Sequence, residues 1–267
     1  MCQLLGMNCN VPTDICFSFQ GFSQRGGLTD THKDGWGIGF FEGAGCRVFI
    51  DSKATIDSPL AEFIKTYPIR SMNVIAHIRR ATQGAVALAN CHPFVRELWG
   101  QYWVFAHNGD LQGFYPRLDG HYRPVGATDS ERAFCYLLEH LRNEFSAAPI
   151  NSTRLYPLLK RLADEVRTYG RFNFLLSNGE VLYAYCSDHL YYVLRRSPFT
   201  TAHLVDQDVT VDFSTFAGPD DKVAVIATQP LTDNEEWVTM APGELVGFHM
   251  GEPILGVAQS VAKVASM

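Results

Sequence analysis

What most limits the folds open to this chain is where its alternating and helical patterns fall. Alternation of apolar and polar residues predicts strands at 2–7, 36–41, 46–51, 73–79 and 101–106, the second and third joined as a hairpin by Gly43-Ala44-Gly45. The last third is strand-rich again, at 172–177, 181–186, 190–194, 223–228 and 244–249, with Asn178-Gly179 as the turn between the first two. Helical spacing falls between these clusters. Ile15, Cys16, Phe19 and Phe22 share a face over 13–24, and further helices are predicted at 58–67 and 153–169, the latter with Leu155, Leu158, Leu159, Leu162 and Val166 on one side. Thr128-Asp129-Ser130-Glu131 has the capping-box form and opens a helix to about residue 143. Strand clusters at both ends with helices between them predict an α+β layered domain, two sheets with helices outside. No linker, charge block or internal repeat divides the chain, so one domain is expected, and the stretch after about residue 251 is weakly patterned and expected to fray.

Composition narrows the class. Of 267 residues 46% are hydrophobic and 19% charged, which belongs to a soluble globular protein with an ample core. A net charge of −6 argues against nucleic acid or an anionic membrane as the main partner. No apolar run reaches the roughly 18 residues a membrane span needs, and no signal peptide opens the chain, so a cytoplasmic location is expected. Seven scattered cysteines without a C-x-x-C pair give poor support to a zinc site and fit free thiols in a reducing compartment.

Five stretches carry chemistry, and each has a plainer reading beside it. Cys2 becomes the N-terminus if Met1 is trimmed, and one residue then holds a thiol and an α-amine. The amine titrates near pH 7.7–8.0, roughly where a general base is useful, although a second-position cysteine is also simply a small residue opening a strand. Within His77-Ile78-Arg79-Arg80-Ala81-Thr82-Gln83-Gly84, at a strand end, an arginine can grip a carboxylate with two charge-assisted hydrogen bonds, or can be a solvated surface residue. His107-Asn108-Gly109-Asp110 reads either as a type I′ hairpin turn or as an oxyanion hole made by the Asn108 amide and the Gly109 N–H. Asp129 is either a first-turn acid at a helix N-terminus or a carboxylate fixed to bind an ammonium group, and Thr128 leaves it free for both. Around Asp34-Gly35-Trp36-Gly37 the glycines suggest close backbone approach beside a packed ring, or a turn entering a hairpin. Together these residues supply a nucleophile with its base, an oxyanion hole, a carboxylate binder and an ammonium binder, which is what hydrolysis of an amide on a free amino acid requires.

In this order the motifs resemble the class II glutamine amidotransferases of the N-terminal-nucleophile hydrolase superfamily. The matching pieces are Met1-Cys2, Asp34-Gly35-Trp36-Gly37, His77-x-Arg79-x-Ala81-Thr82-x-Gly84, His107-Asn108-Gly109 and Thr128-Asp129-Ser130-Glu131. Pro230-Leu231-Thr232 and Pro242-Gly243-Glu244 resemble closing elements of the stand-alone members, so the likeness covers nearly the whole chain. It implies a four-layer αββα sandwich of two antiparallel sheets over residues 2–267. It implies removal of Met1, attack by Cys2 on a γ-amide carbonyl, an oxyanion hole at Asn108 and Gly109, and release of glutamate from a thioester. Arg79 is implied as the binder of the substrate α-carboxylate and Asp129 of its α-ammonium, with Thr82 shaping the pocket. No metal or organic cofactor is implied.

Two departures from the family matter. Larger members carry an aromatic residue where this chain has Arg80 and a histidine where it has Gln83, so the covering role of that loop is open. A chain of this length leaves no room for a synthase domain, and a stand-alone γ-glutamyl amidohydrolase is the leading expectation. The alternatives are an ammonia-supplying subunit of a separate synthase, or a non-catalytic γ-glutamyl-binding module if Met1 is retained. Arg80 and Asp110 are candidate contacts on the leaving-group side.

Overall fold

Alternation along β1 (Gln3–Thr13) sends successive side chains to two different layers. Leu5, Met7 and Cys9 face a helical layer, whereas Leu4 faces a second sheet. The rest of the fold extends that division. The computed structural model describes residues 2–256. After β1 come α1 (Cys16–Gln24), the hairpin β2 (Trp36–Glu42) and β3 (Gly45–Asp51), α2 (Pro59–Thr66) and β4 (Ser71–Ile78). The middle of the chain forms β5 (Phe94–Leu98), β6 (Gln101–Leu111), α3 (Asp129–Glu144) and α4 (Tyr156–Arg167). Then follow β7 (Gly170–Ser177), β8 (Leu182–Tyr185), β9 (Tyr191–Arg196), β10 (Thr201–His203) and β11 (Thr210–Asp212). Last are β12 (Lys222–Ala227), β13 (Val238–Thr239), β14 (Leu245–His249) and β15 (Glu252–Leu255).

A seven-stranded sheet in the order β13-β9-β12-β1-β4-β2-β3 lies against a six-stranded sheet in the order β15-β14-β8-β7-β6-β5, every pairing antiparallel, and β10 and β11 form a separate ribbon. The layer between the sheets is dry and aliphatic, built from residues such as Leu4, Ile75, Val104, Leu175, Ile226 and Val246. Outside the first sheet, α1 and α2 bury Phe19, Phe22, Ala61 and Ile64. Outside the second, α3 and α4 bury Phe134, Leu138, Leu159 and Leu162. This is the four-layer α+β sandwich expected, each helix burying one stripe and each sheet both faces. Among the described residues no helix is long and apolar enough to cross a membrane, and all seven cysteines are free.

Several stretches differ from the sequence reading, β5, β10, β11 and β13 among them as strands it does not predict. β1 runs on to Thr13 and β6 runs through His107-Asn108-Gly109-Asp110 to Leu111, so these four residues are strand and not a hairpin turn. Pairing with β7, in the register Asn108↔Asn173 and Gly109↔Phe172, satisfies their backbone groups and overrides the local turn preference. Glu252–Leu255, expected to fray, instead adds a strand to the sheet edge beside β14; the remainder of that tail lies outside the described residues.

Candidate active site

The site gathers where β1 begins, β4 and β6 end and α3 begins. Cys2 is half-buried just ahead of β1. The Arg80 N–H donates to its Sγ at 3.2 Å, and the thiol reaches the Arg80 carbonyl at 3.3 Å. Burial pushes the Cys2 thiol pKa up, opposed by the Arg80 N–H and the Arg79 cation. A thiol so placed stays protonated at neutral pH, so its use as a nucleophile calls for a base.

Arg79 follows β4 and is 3% exposed. Its Nη2 donates to the carbonyls of Gln83 (2.8 Å) and Gly84 (3.1 Å), and its Nη1 to that of Ala85 (3.1 Å). Arg25 and Arg195, the other deeply buried arginines, each hold a carboxylate at 2.7 Å, Asp206 and Glu235 respectively. Among the described residues Arg79 has none. Buried charges are ordinarily neutralised by a partner, and carbonyl dipoles leave this one with its full charge. Asp34 braces the same segment, its Oδ2 accepting from Ala81 N–H at 2.7 Å while the backbones of 34–35 and 79 exchange hydrogen bonds. Two residues on, a Cβ at Gly37 would stand 2.3 Å from the His92 carbonyl, so glycine there admits the loop ahead of β5. Between these glycines Trp36 is fully buried, its ring 5.7 Å from that of Phe19.

On β6, Gly109 faces the cavity and Asn108 the layer between the sheets. The Asn108 Nδ2 donates to Thr228 Oγ1 at 3.3 Å, and the same oxygen accepts from Leu4 N–H at 2.9 Å. Thr228 therefore ties the Asn108 amide to the strand that Cys2 begins. Sequence reasoning passed over Thr228, whose only signal is its place at the end of a predicted strand. Asp129, 5% exposed in the first turn of α3, accepts from Leu111 N–H through Oδ2 at 2.8 Å. The cap is Thr128, whose Oγ1 accepts from Glu131 N–H at 3.2 Å, leaving Asp129 free of that duty. Glu131 does not close the box but turns to Gly126 N–H and Arg96.

Cys2, Arg79, Arg80, Thr82, Gly109 and Asp129 line one cavity of only about 20 Å³; Asn108 abuts it without lining it. The loop from Arg80 to Ala87 closes the mouth. Gln83 Nε2 donates to Asp110 Oδ1 at 2.6 Å and to the Leu111 carbonyl at 3.1 Å, and Gln112 Nε2 holds the other Asp110 oxygen at 2.5 Å. Asp110 is thus committed to closing the loop, whereas the Arg80 side chain is exposed at the rim. Among the described residues no group of His, Cys, Asp or Glu is arranged to hold a metal ion.

Comparison with known proteins gives the family. The family model of glutamine amidotransferases class-II matches residues 1–266. YafJ of Escherichia coli K12, whose name assigns it provisionally to the glutamine amidotransferases, is 54% identical over 255 residues, covering 96% of this chain and all of its own. A crystal structure from Pseudomonas aeruginosa PA01, titled a predicted glutamine amidotransferase, superposes with a TM-score of 0.76 at 47% identity, covering 95% of this chain and 99% of that one. Glutamine phosphoribosylpyrophosphate amidotransferase of B. subtilis shares the fold at a TM-score of 0.58 with 13% identity, 94% of this chain matching 48% of that one. A thiol at the head of a central strand, an unneutralised buried arginine and a whole-length family match lead to one assignment: the chain belongs to the class II glutamine amidotransferases, with their N-terminal-nucleophile sandwich fold.

Proposed function

We propose that residues 2–267 act as one amidotransferase domain that hydrolyses the γ-amide of glutamine or of a γ-glutamyl compound. The observation that carries this reading is Arg79, a buried cation without a carboxylate that shares its cavity with the Cys2 thiol and the Asp129 carboxylate. A free α-amino acid head group presents the complementary pair. Its carboxylate takes the Arg79 fork, displacing the loop carbonyls that hold it, and its ammonium takes Asp129. The loop from 80 to 87 opens to admit it, because about 20 Å³ holds little more than one water molecule.

With Met1 trimmed, the α-amine of Cys2 accepts the thiol proton as Sγ bonds to the γ-carbonyl carbon. The carbonyl oxygen, now an oxyanion, takes hydrogen bonds from Asn108 Nδ2 and Gly109 N–H. The C–N bond breaks as the α-amine passes its proton to the departing nitrogen, which leaves as ammonia or an amine. Water then attacks the thioester, giving its proton to the α-amine; that proton returns to sulfur as the free acid departs. Everything named grips the glutamyl half, so glutamine, γ-glutamyl peptides and γ-glutamyl amines are all within reach.

Intact-mass measurement before and after exposure to a glutamine-like electrophile tests the reading. Loss of Met1 and one adduct on Cys2 are expected, with glutaminase or γ-glutamyl amidase turnover that Cys2→Ala abolishes while the thermal melt is unchanged. Retained Met1 with an unmodified thiol, or full turnover by Cys2→Ala, sinks it.

A further inference from the structure

Three histidines take no part in the chemistry above: His92 and His107 line the cavity and His77 lies behind them. His77 lies on β4 two residues before Arg79, opposite Leu4 of β1 and Gly37 of β2. His92, in the loop before β5, packs its ring on that of His77 with centroids 4.1 Å apart and against Phe94 at 4.6 Å. Its Nδ1 accepts from the backbone N–H of His107 at 3.5 Å. The His107 Nε2 meets the Arg171 carbonyl at 3.1 Å and therefore carries the ring proton, so Nδ1 accepts from Ser130 Oγ at 2.8 Å. All three are at most 3% exposed, and neither ring nitrogen of His77 has a hydrogen-bond partner among the described residues.

These contacts form a continuous path. It starts beside Arg79, crosses to the residue before Asn108 and ends beside Asp129. We propose that His77, His92 and His107 are positioning residues that set the spacing of Arg79, Asn108-Gly109 and Asp129, and that they do so only while uncharged. The proposal rests on the reading of the site given above. A proton on His77 or His92 would place a cation against the other ring in a dry interior that already holds Arg79. The charged and titratable groups facing the stack are Arg79 and His32 toward His77, Arg79 toward His92, and Asp129 and Asp110 toward His107, besides the three rings themselves. Burial holds all three below the ordinary histidine range, His77 and His92 well below it.

The test uses the whole processed chain. His92→Phe keeps the ring packing and removes the Nδ1 acceptor, whereas His92→Asn restores an acceptor near that position without the ring. Labelling of Cys2 by diazo-oxonorleucine, which must engage Arg79 and Asp129, is compared with labelling by iodoacetamide, which need not. His92→Phe is expected to slow the first reagent about tenfold and the second far less, with His92→Asn recovering most of the loss. In the wild type the ratio of the two rates holds through about pH 6.5 and falls only well below it, and the fall is absent from His77→Phe/His92→Phe; titration of the α-amine acts on both reagents and cancels. Amide exchange over 79–85 and 107–111 reads the same spacing without any reagent, and is expected to be faster in His92→Phe and restored in His92→Asn. Unchanged exchange overturns the proposal, and so does a parallel loss of both labelling rates with the melting temperature in every variant. A wild type that shows no preference for diazo-oxonorleucine overturns the reading of Cys2 chemistry instead, and exchange still decides the role of the stack.

Discussion

At Arg79 a guanidinium sits 3% exposed with carbonyl oxygens for partners, and that imbalance has a measurable consequence. Lysine keeps the charge and loses the fork. Arg79→Lys is expected to raise KM for glutamine by a factor of about ten or more, worth roughly 1.5–3 kcal/mol for hydrogen bonds to a charged group, with a smaller change in kcat. It should also erase the preference for glutamine over its α-carboxamide, and steady-state kinetics on the two substrates checks both. The types at Cys2, Arg79 and Asp129 were legible in the sequence because each carries a charge or a reactive atom in a recognisable local setting. Thr228 and His92 were not. Thr228 matters through contacts with Leu4 and Asn108, 224 and 120 residues away, and His92 through a ring stacked on His77 of another strand. Nothing in their own neighbourhoods reports such pairings.

β6 shows why local pattern alone misplaced part of the site. His107-Asn108-Gly109 satisfies the demands of a turn and of a strand end equally well, and only the presence of β7 decides between them. β5 went unrecognised because five residues, beginning right after Pro93, carry too little alternation to stand out from the loop before them. The hairpin of β2 and β3, the Asn178-Gly179 turn and the capped start of α3 were all readable, since each is specified by residues adjacent in the chain. β6 also yields a prediction about stability. A Cβ at Gly109 would lie 1.8 Å from the Arg171 carbonyl and 2.4 Å from His107 Nε2, so alanine must push β6 and β7 apart there. Gly109→Ala is expected to destabilise by about 1–3 kcal/mol, as overpacking does, and to show it as a lower urea midpoint with an unchanged m-value. An unchanged midpoint would mean that the two strands separate without cost.

For the molecule as a whole, burying neutral histidines makes stability depend on pH in a defined window. An unfolded chain protonates His77 and His92 near pH 6.5, the ordinary value, whereas the folded chain does so only well below it. Between those limits the unfolded state binds more protons, so stability is full above about pH 6.5 and falls on acidification by up to about 1.4 kcal/mol per pH unit for each histidine. Urea midpoints at pH 7.5 and 5.5 check this, and His77→Phe/His92→Phe should flatten the difference; a midpoint that rises on acidification contradicts it. The layered architecture was legible because each helix and strand announces one apolar face, but strand order was not, since it depends on which strands meet across long stretches of chain. That order has a consequence in time. β1 is made before every other described strand, yet it lies between β4 and β12, pairing Leu5 with Ala76 on one side and with Ala227 on the other. Its second flank stays open until most of the protein has been synthesised. The segment that bears Cys2 is therefore made early and enclosed late, its strand flanked on both sides only once β12 has been made.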